Sequence, residues 1–185
     1  MYRGWLRAGV RLIQLRAKTL PSGPLAALAD DLATEARSAG AALILNDRPD
    51  LARLAGAGVH VGQTDLSPVD ARRIVGPEAI VGVSTHSADE LDLAMAAPVD
   101  YVAVGAVFQT ALKGPTHPIV GLPLVRRAAQ LGAAHGKPVV AIGGITLETA
   151  PEVIRAGAAA VAVISDLLVG DPIARAREYV AILGS

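Results

Sequence analysis

The stretch Ala41-Ala42-Leu43-Ile44-Leu45-Asn46-Asp47-Arg48-Pro49, followed shortly by Gly58-Val59-His60-Val61-Gly62-Gln63-Thr64-Asp65, decides how this chain is read. Each half is a short apolar strand that stops at a polar turn, and each turn carries a carboxylate, Asp47 in one and Asp65 in the other. When parallel strands close on themselves, all strand-to-helix turns gather on one face, so two such carboxylates can share one divalent cation. Read singly, each Asp is equally a helix cap, ahead of Leu51 or ahead of Val69.

Working outward, the same unit recurs. Strands are expected over residues 10–16, 41–46, 58–61, 79–84, 100–105, 138–142 and 159–164, and helices over 24–39, 49–55, 68–75, 88–96, 122–134 and 147–156. Pro49 and Pro68 suit first helical turns, and Gly40, Gly76 and Gly157 suit positions just after a helix end. The later strands are almost continuously apolar, as in sheets covered on both faces. Strands alternating with helices predict parallel β/α units. A doubly wound sheet would place a glycine fingerprint after the first strand, where Ala17-Lys18-Thr19-Leu20 stands instead. The expected fold is therefore α/β, a TIM (β/α)8 barrel, in one domain over residues 1–185.

Lys and Arg total 17 and Asp and Glu total 17, so no general attraction to nucleic acid or anionic membrane arises, and phosphate binding has to be local. The 52% hydrophobic content contains no run near the ~20 apolar residues of a membrane span. Absence of cysteine excludes disulfide and thiolate chemistry. The start, Met1-Tyr2-Arg3-Gly4-Trp5, lacks a signal-peptide apolar core, and a cytoplasmic location is expected.

Gln14, Arg16 and Lys18 alternate at period two and are expected to face one way. Barrel interiors are filled by Val, Ile and Leu, so inward polar and cationic groups need an anionic ligand or counter-charge. Ile142-Gly143-Gly144-Ile145-Thr146 reads as a strand end opening a helix, where backbone N–H groups approach an anion, and Ile164-Ser165-Asp166 ends the last strand in a second small turn. Paired turns of this kind after the last two strands often form phosphate sites. Residues 105–121 read as a lid containing Thr110 and Lys113. Ser84 ends a strand, where it either meets a substrate or caps the next helix. His60, between two valines, reads as a packed strand residue, and the spacing of His60, His86, His117 and His135 excludes a zinc motif.

Taken together, Gln14-Leu15-Arg16-Ala17-Lys18, Asn46-Asp47-Arg48, residues 58–65, Gly82-Val83-Ser84-Thr85-His86-Ser87, residues 100–105, Val107-Phe108-Gln109-Thr110, Ile142-Gly143-Gly144-Ile145 and Val163-Ile164-Ser165 resemble the thiamine phosphate synthase family. The resemblance implies a TIM barrel that joins hydroxymethylpyrimidine pyrophosphate to thiazole phosphate, or its carboxylated precursor, with pyrophosphate leaving first. It implies that Gln14, Leu15, Arg16, Ala17 and Lys18 hold the pyrimidine pyrophosphate with Asn46, Ser84 and Lys113. It further implies that Asp47 and Asp65 bind Mg²⁺, that Thr110, Ala111, Leu112, Gly144, Ile164 and Ser165 hold the thiazole phosphate, and that Arg16, Lys18 and Lys113 stabilise the leaving group. Leu112 departs from the family pattern by removing a hydroxyl. A thiazole tautomerase-like relative would carry a His where Ala106 stands and would lack both aspartates. A non-catalytic thiazole or thiamine phosphate-binding protein is the other reading.

The family also begins with a strand and helix that have no counterpart ahead of Gly9. The expectation is a strand-sized gap between residues 10–16 and 159–164, residues 2–6 as the remnant of the first helix, and a chain that is unstable or associates into homo-oligomers through its open edges.

Overall fold

The computed structural model describes residues 1–109 and 118–184. It contains helix α1 (Tyr2–Ala8), strand β1 (Leu12–Leu15), α2 (Ser22–Ser38), β2 (Ala42–Asn46), α3 (Pro49–Ala55), β3 (Gly58–Val61), α4 (Pro68–Val75) and β4 (Val81–Thr85). It continues through α5 (Ala88–Ala96), β5 (Tyr101–Gly105), α6 (Gly121–His135), β6 (Val139–Ile142), α7 (Ala150–Arg155), β7 (Ala160–Ala162), a 3₁₀ turn at Asp166–Leu168 and α8 (Pro172–Leu183). All seven strands pair in chain order and in parallel, with β1 and β7 as the two ends. This is a TIM-like barrel sheet left open between its first and last strands.

Local chemistry sets most boundaries. Pro49 and Pro68 occupy first turns, Ser67 Oγ accepts the Asp70 N–H, and Ser87 Oγ accepts the Glu90 N–H while Glu90 Oε2 accepts that of His86. The unexpected helix α8 starts at Asp171, whose carboxylate accepts the N–H groups of Ile173 and Ala174, with Pro172 next. Conversely, α7 opens at Ala150, later than the sequence suggested, because Thr149 Oγ1 accepts the Thr146 N–H and holds a separate turn ahead of it.

The two sheet faces carry different residues. Leu43, Leu45, Val59, Val61, Val81, Val83, Val102 and Val104 belong to the core shared with helix residues such as Leu25, Ala29, Ala33 and Ala36 of α2. The other face points into the barrel, and strand register puts Asn46, His60, Gly82 and Tyr101 in one row across it. Ser84 follows Gly82 on that face, and Gln14 aligns with Ile44. Small residues stand beside large ones: a Cβ on Gly58 would meet Ile44 Cδ1 at 2.5 Å, and one on Gly82 would overlap the Tyr101 ring. Interior strands β3 and β5 are wholly buried, whereas no residue of β1 or β7 is. The difference follows from the missing neighbour.

The expected gap is thus present in the sheet, and its flanks expose Leu12, Ile164, Leu168 and Val169. Helix α1 spans the outer layer across it. Tyr2 Oη donates to Leu32 O at 2.9 Å and Arg3 pairs with Glu35, both on α2, while Trp5 Nε1 donates to Pro172 O at 3.0 Å on α8. Two outcomes are expected. Trp5→Ala removes this clasp and should cost about 2 kcal/mol, lowering Tm by roughly 4–8 °C in a thermal melt. The free edges should make the chain associate with rising concentration in sedimentation velocity, and Leu12→Lys, an inward charge on an edge strand, should weaken that association.

Candidate active site

Two side-chain pairs converge where β1 and β2 end. Arg16 NH1 donates to Asn46 Oδ1 at 3.1 Å, and Lys18 Nζ lies 3.2 Å from Asp47 Oδ2. Gln14 and Arg16 do share the interior face, but the strand ends at Leu15 and Lys18 sits on the following turn. The period-two reading therefore stops short of Lys18, which reaches the site by pairing with Asp47.

Asp47 has φ 61°, the one positive φ at a non-glycine residue among those described. That left-handed conformation costs an L-residue on the order of 1 kcal/mol, is tolerated best by Asn and Asp, and concentrates at functional positions. The Asp47 N–H donates to His60 O at 2.8 Å, so β3 fixes the turn. Asp65 hangs on the same strand, its Oδ2 accepting the Gly62 N–H at 2.9 Å. Neither carboxylate caps a helix. Arg48 stands at the N-cap of α3 without a side-chain bond, and Ser67 caps α4. Among the described residues, Oδ1 of Asp47 and Oδ1 of Asp65 accept no hydrogen bond from protein, and no cluster of three or more His, Cys, Asp or Glu forms.

Ser84 also escapes the capping role, since Ser87 caps α5. Its Oγ lies 2.7 Å from His60 Nε2, and His60 Nδ1 lies 2.9 Å from Tyr101 Oη. Gln63 Nε2 donates to Ser84 O at 2.6 Å. His60 is 7% exposed and stacks on Tyr101, so it is the packed strand residue expected, yet both ring nitrogens are engaged. Burial pushes the Tyr101 phenol well above its usual range.

On the far side, Gly143 and Gly144 have φ 100° and 66°. A Cβ on Gly144 would overlap the backbone of Phe108 and Gln109, and Phe108 N donates to Gly143 O at 2.9 Å, so these glycines admit the chain leaving β5. Two nearby N–H groups are already used, Thr146 by Thr149 and Leu147 by Asp166 Oδ2, so the turn offers fewer donors to an anion than its sequence suggested. Ile164 and Ser165 are exposed just past β7, and Ala106 is buried. Thr110, Ala111, Leu112 and Lys113, with the central part of the expected lid, lie outside the described residues.

Asp166 joins these turns. It accepts from Leu147 N, Arg175 Nε and NH2, and Tyr179 Oη. Burial pushes its carboxyl up, but the bonds from Arg175 and Tyr179 outweigh that and hold it below the usual carboxylate range. Its bond to Arg175 in turn raises the guanidinium, and burial followed by the same carboxylate raises the Tyr179 phenol. The hydrogen bonds of His60, the parts played by Tyr101 and Gln63 and this cluster are not legible in the sequence. Its partners come from other strands and helices, and the only local signal is that polar residues interrupt otherwise apolar strand ends.

Fold and site together define a TIM-like barrel with its polar groups at the strand C-terminal ends, where enzymes of this architecture work. The chain belongs to the thiamine monophosphate synthase family, whose sequence profile matches residues 2–167. A thiamine-phosphate synthase of Koribacter versatilis is 49% identical over 178 residues, covering 96% of this chain and 82% of that protein. One from Roseiflexus is 44% identical over 97% of this chain and 76% of its own length. The structure of thiamine phosphate pyrophosphorylase from Pyrococcus furiosus superposes with a TM-score of 0.89 at 31% identity, covering 99% of this chain and 87% of that one.

Because a depressed carboxyl pKa contributes stability above the unfolded carboxylate range and loses it as pH falls through the folded value, Asp166 should steepen the acid limb of stability. Asp166→Asn is expected to lower Tm near neutrality and to flatten its fall between about pH 5 and pH 3, as read by melts across that range.

Proposed function

We propose that this chain joins hydroxymethylpyrimidine pyrophosphate to thiazole phosphate, releasing pyrophosphate and forming thiamine phosphate. The observation that carries the reading is the pairing of Arg16 with Asn46 and Lys18 with Asp47 at adjoining strand ends. Two cations, one held by an amide oxygen and one by a carboxylate, are poised to exchange partners when a pyrophosphate and its counter-ion arrive. Family membership and the full-length relatives support the same reaction.

In this reading Gln14, Leu15, Arg16, Ala17 and Lys18 bind the pyrimidine pyrophosphate with Asn46 and Ser84, and Lys113 joins them. Arg16, Lys18 and Lys113 stabilise negative charge as the pyrophosphate leaves, and the thiazole nitrogen captures the pyrimidine cation, so no general base is needed. Thr110, Ala111, Leu112, Gly144, Ile164 and Ser165 hold the thiazole phosphate. Asp47 and Asp65 fit Mg²⁺, which takes hard oxygen ligands and characteristically binds through one or two carboxylates with water and substrate phosphates completing the shell. Each has an oxygen without a protein partner among the described residues. When bound, Mg²⁺ would neutralise charge on the leaving group.

No described helix is long and apolar enough to cross a membrane. With small phosphorylated substrates and no cysteine, we place the activity in the cytoplasm, in a single domain that self-associates through its open edges.

A coupled assay of pyrophosphate release, run with and without Mg²⁺, tests the reading. Asp47→Asn keeps a side chain that tolerates φ 61° and should lower kcat at least about a hundredfold without changing Tm appreciably. Unchanged turnover, or turnover indifferent to Mg²⁺, would reject the metal assignment. Tight thiazole phosphate binding without pyrophosphate release would favour the binding-protein reading.

A further inference from the structure

The barrel interior holds a short hydrogen-bonded line, Tyr101 to His60 to Ser84, drawn from three neighbouring strands. Gly82 is what allows it. In register between His60 and Tyr101, it leaves the space that the Tyr101 ring occupies, and any Cβ there would collide with that ring.

We propose that Tyr101 fixes His60 in its Nε2–H tautomer, and that His60 thereby acts as a positioning residue that turns the Ser84 hydroxyl into a donor toward the phosphorylated substrate. This rests on the reading that Ser84 meets that substrate, and goes beyond it by assigning how the hydroxyl is aimed and by what.

The proton count along this line fixes the tautomer. Tyr101 is 7% exposed, and His60 Nδ1 is its hydrogen-bond partner among the described residues. A buried phenol proton without an acceptor costs roughly 1–3 kcal/mol, so the phenol donates and Nδ1 accepts. No buried side-chain polar atom among the described residues lacks a partner, in keeping with this. The strong upward push on the Tyr101 phenol keeps that proton in place at neutral pH. A neutral imidazole that accepts at Nδ1 carries its proton on Nε2. Nε2–H therefore donates to Ser84 Oγ, 2.7 Å away. A hydroxyl that has accepted one hydrogen bond keeps its own proton for another acceptor. The other tautomer would reverse this: Nε2 would take the serine proton, leaving only lone pairs to face an anionic group. Gln63, donating to Ser84 O at 2.6 Å, holds the backbone on which the hydroxyl turns.

The experiment has two arms. In the first, ¹⁵N-histidine-labelled protein is observed by NMR, where protonated and bare ring nitrogens resonate far apart. His60 should show a protonated Nε2 and a bare Nδ1, and Tyr101→Phe should shift population toward Nδ1–H. In the second, kcat and KM are measured for Ser84→Ala, Tyr101→Phe and the double variant. Tyr101→Phe should lower kcat by about tenfold and have no further effect once Ser84 is Ala, because its influence passes through that hydroxyl. His60→Gln, whose amide can still donate where Nε2 stood, should retain clearly more activity than His60→Ala, and it serves also if Tyr101→Phe folds poorly. Nδ1–H in the unaltered protein, or losses that multiply in the double variant while Ser84→Ala is impaired, overturns the tautomer proposal alone. Full activity in Ser84→Ala overturns the site reading and the proposal with it.

Discussion

The hydrogen bond from the Asp47 N–H to the His60 carbonyl, 2.8 Å long, ties the turn after β2 to the end of β3, and the site is arranged around it. Through it Asp47 is held at φ 61°, and Asp47 in turn receives Lys18. Just past the end of β3, the Gly62 N–H anchors Asp65. His60 itself points inward to Ser84 and Tyr101. One short strand therefore sets the positions of both carboxylates and the strand-end serine. The backbone strain at Asp47 persists because this central, fully buried strand has no freedom to relax it.

Such a site requires an interior that is neither filled nor hollow. Bulky side chains on one strand are matched by glycines on the next, Ile44 against Gly58 and Tyr101 against Gly82, so polar groups on neighbouring strands reach one another. Every buried polar side-chain atom among the described residues consequently has a partner, as the cost of stranding one demands. At the open side of the sheet this control fades. Leu12, Gln14 and Ile164 are exposed there, and closure is left to α1, which clasps α2 and α8 in the outer layer.

Opposite β3, Asp166 performs the corresponding service. It ties the turn after β6 through Leu147 and helix α8 through Arg175 and Tyr179, and its own chain neighbour is Ser165. The glycine pair at 143–144 serves backbone packing against Phe108 and Gln109 as much as any ligand. The two halves of the site are thus braced by different devices, a buried strand on one side and a charged cluster on the other.

The sequence by itself determined what local forces determine. Helices Pro49–Ala55, Pro68–Val75 and Ala88–Ala96 and strand Gly58–Val61 fall where apolar periodicity, Pro and Gly place them, because those signals act within a few residues. The strand order and the gap at its ends also followed from that rhythm together with the family resemblance. Helix α8 also has its local signal in Asp171-Pro172, whereas the outer strands are shorter than their apolar runs, β7 keeping only three residues, because an edge has ladder bonds on one side alone. Only the tertiary structure decided that Asp47 is not a cap, since its turn is tied to His60 on the next strand, whereas Asp65 and Ser84 give way to Ser67 and Ser87, which accept the N–H groups that open α4 and α5. It alone joined His60 to partners 24 and 41 residues away, and Asp166 to one 19 residues before it. Hydrogen bonds between strands are set by register across the sheet, and register is a property of the packed barrel that no stretch of sequence carries alone.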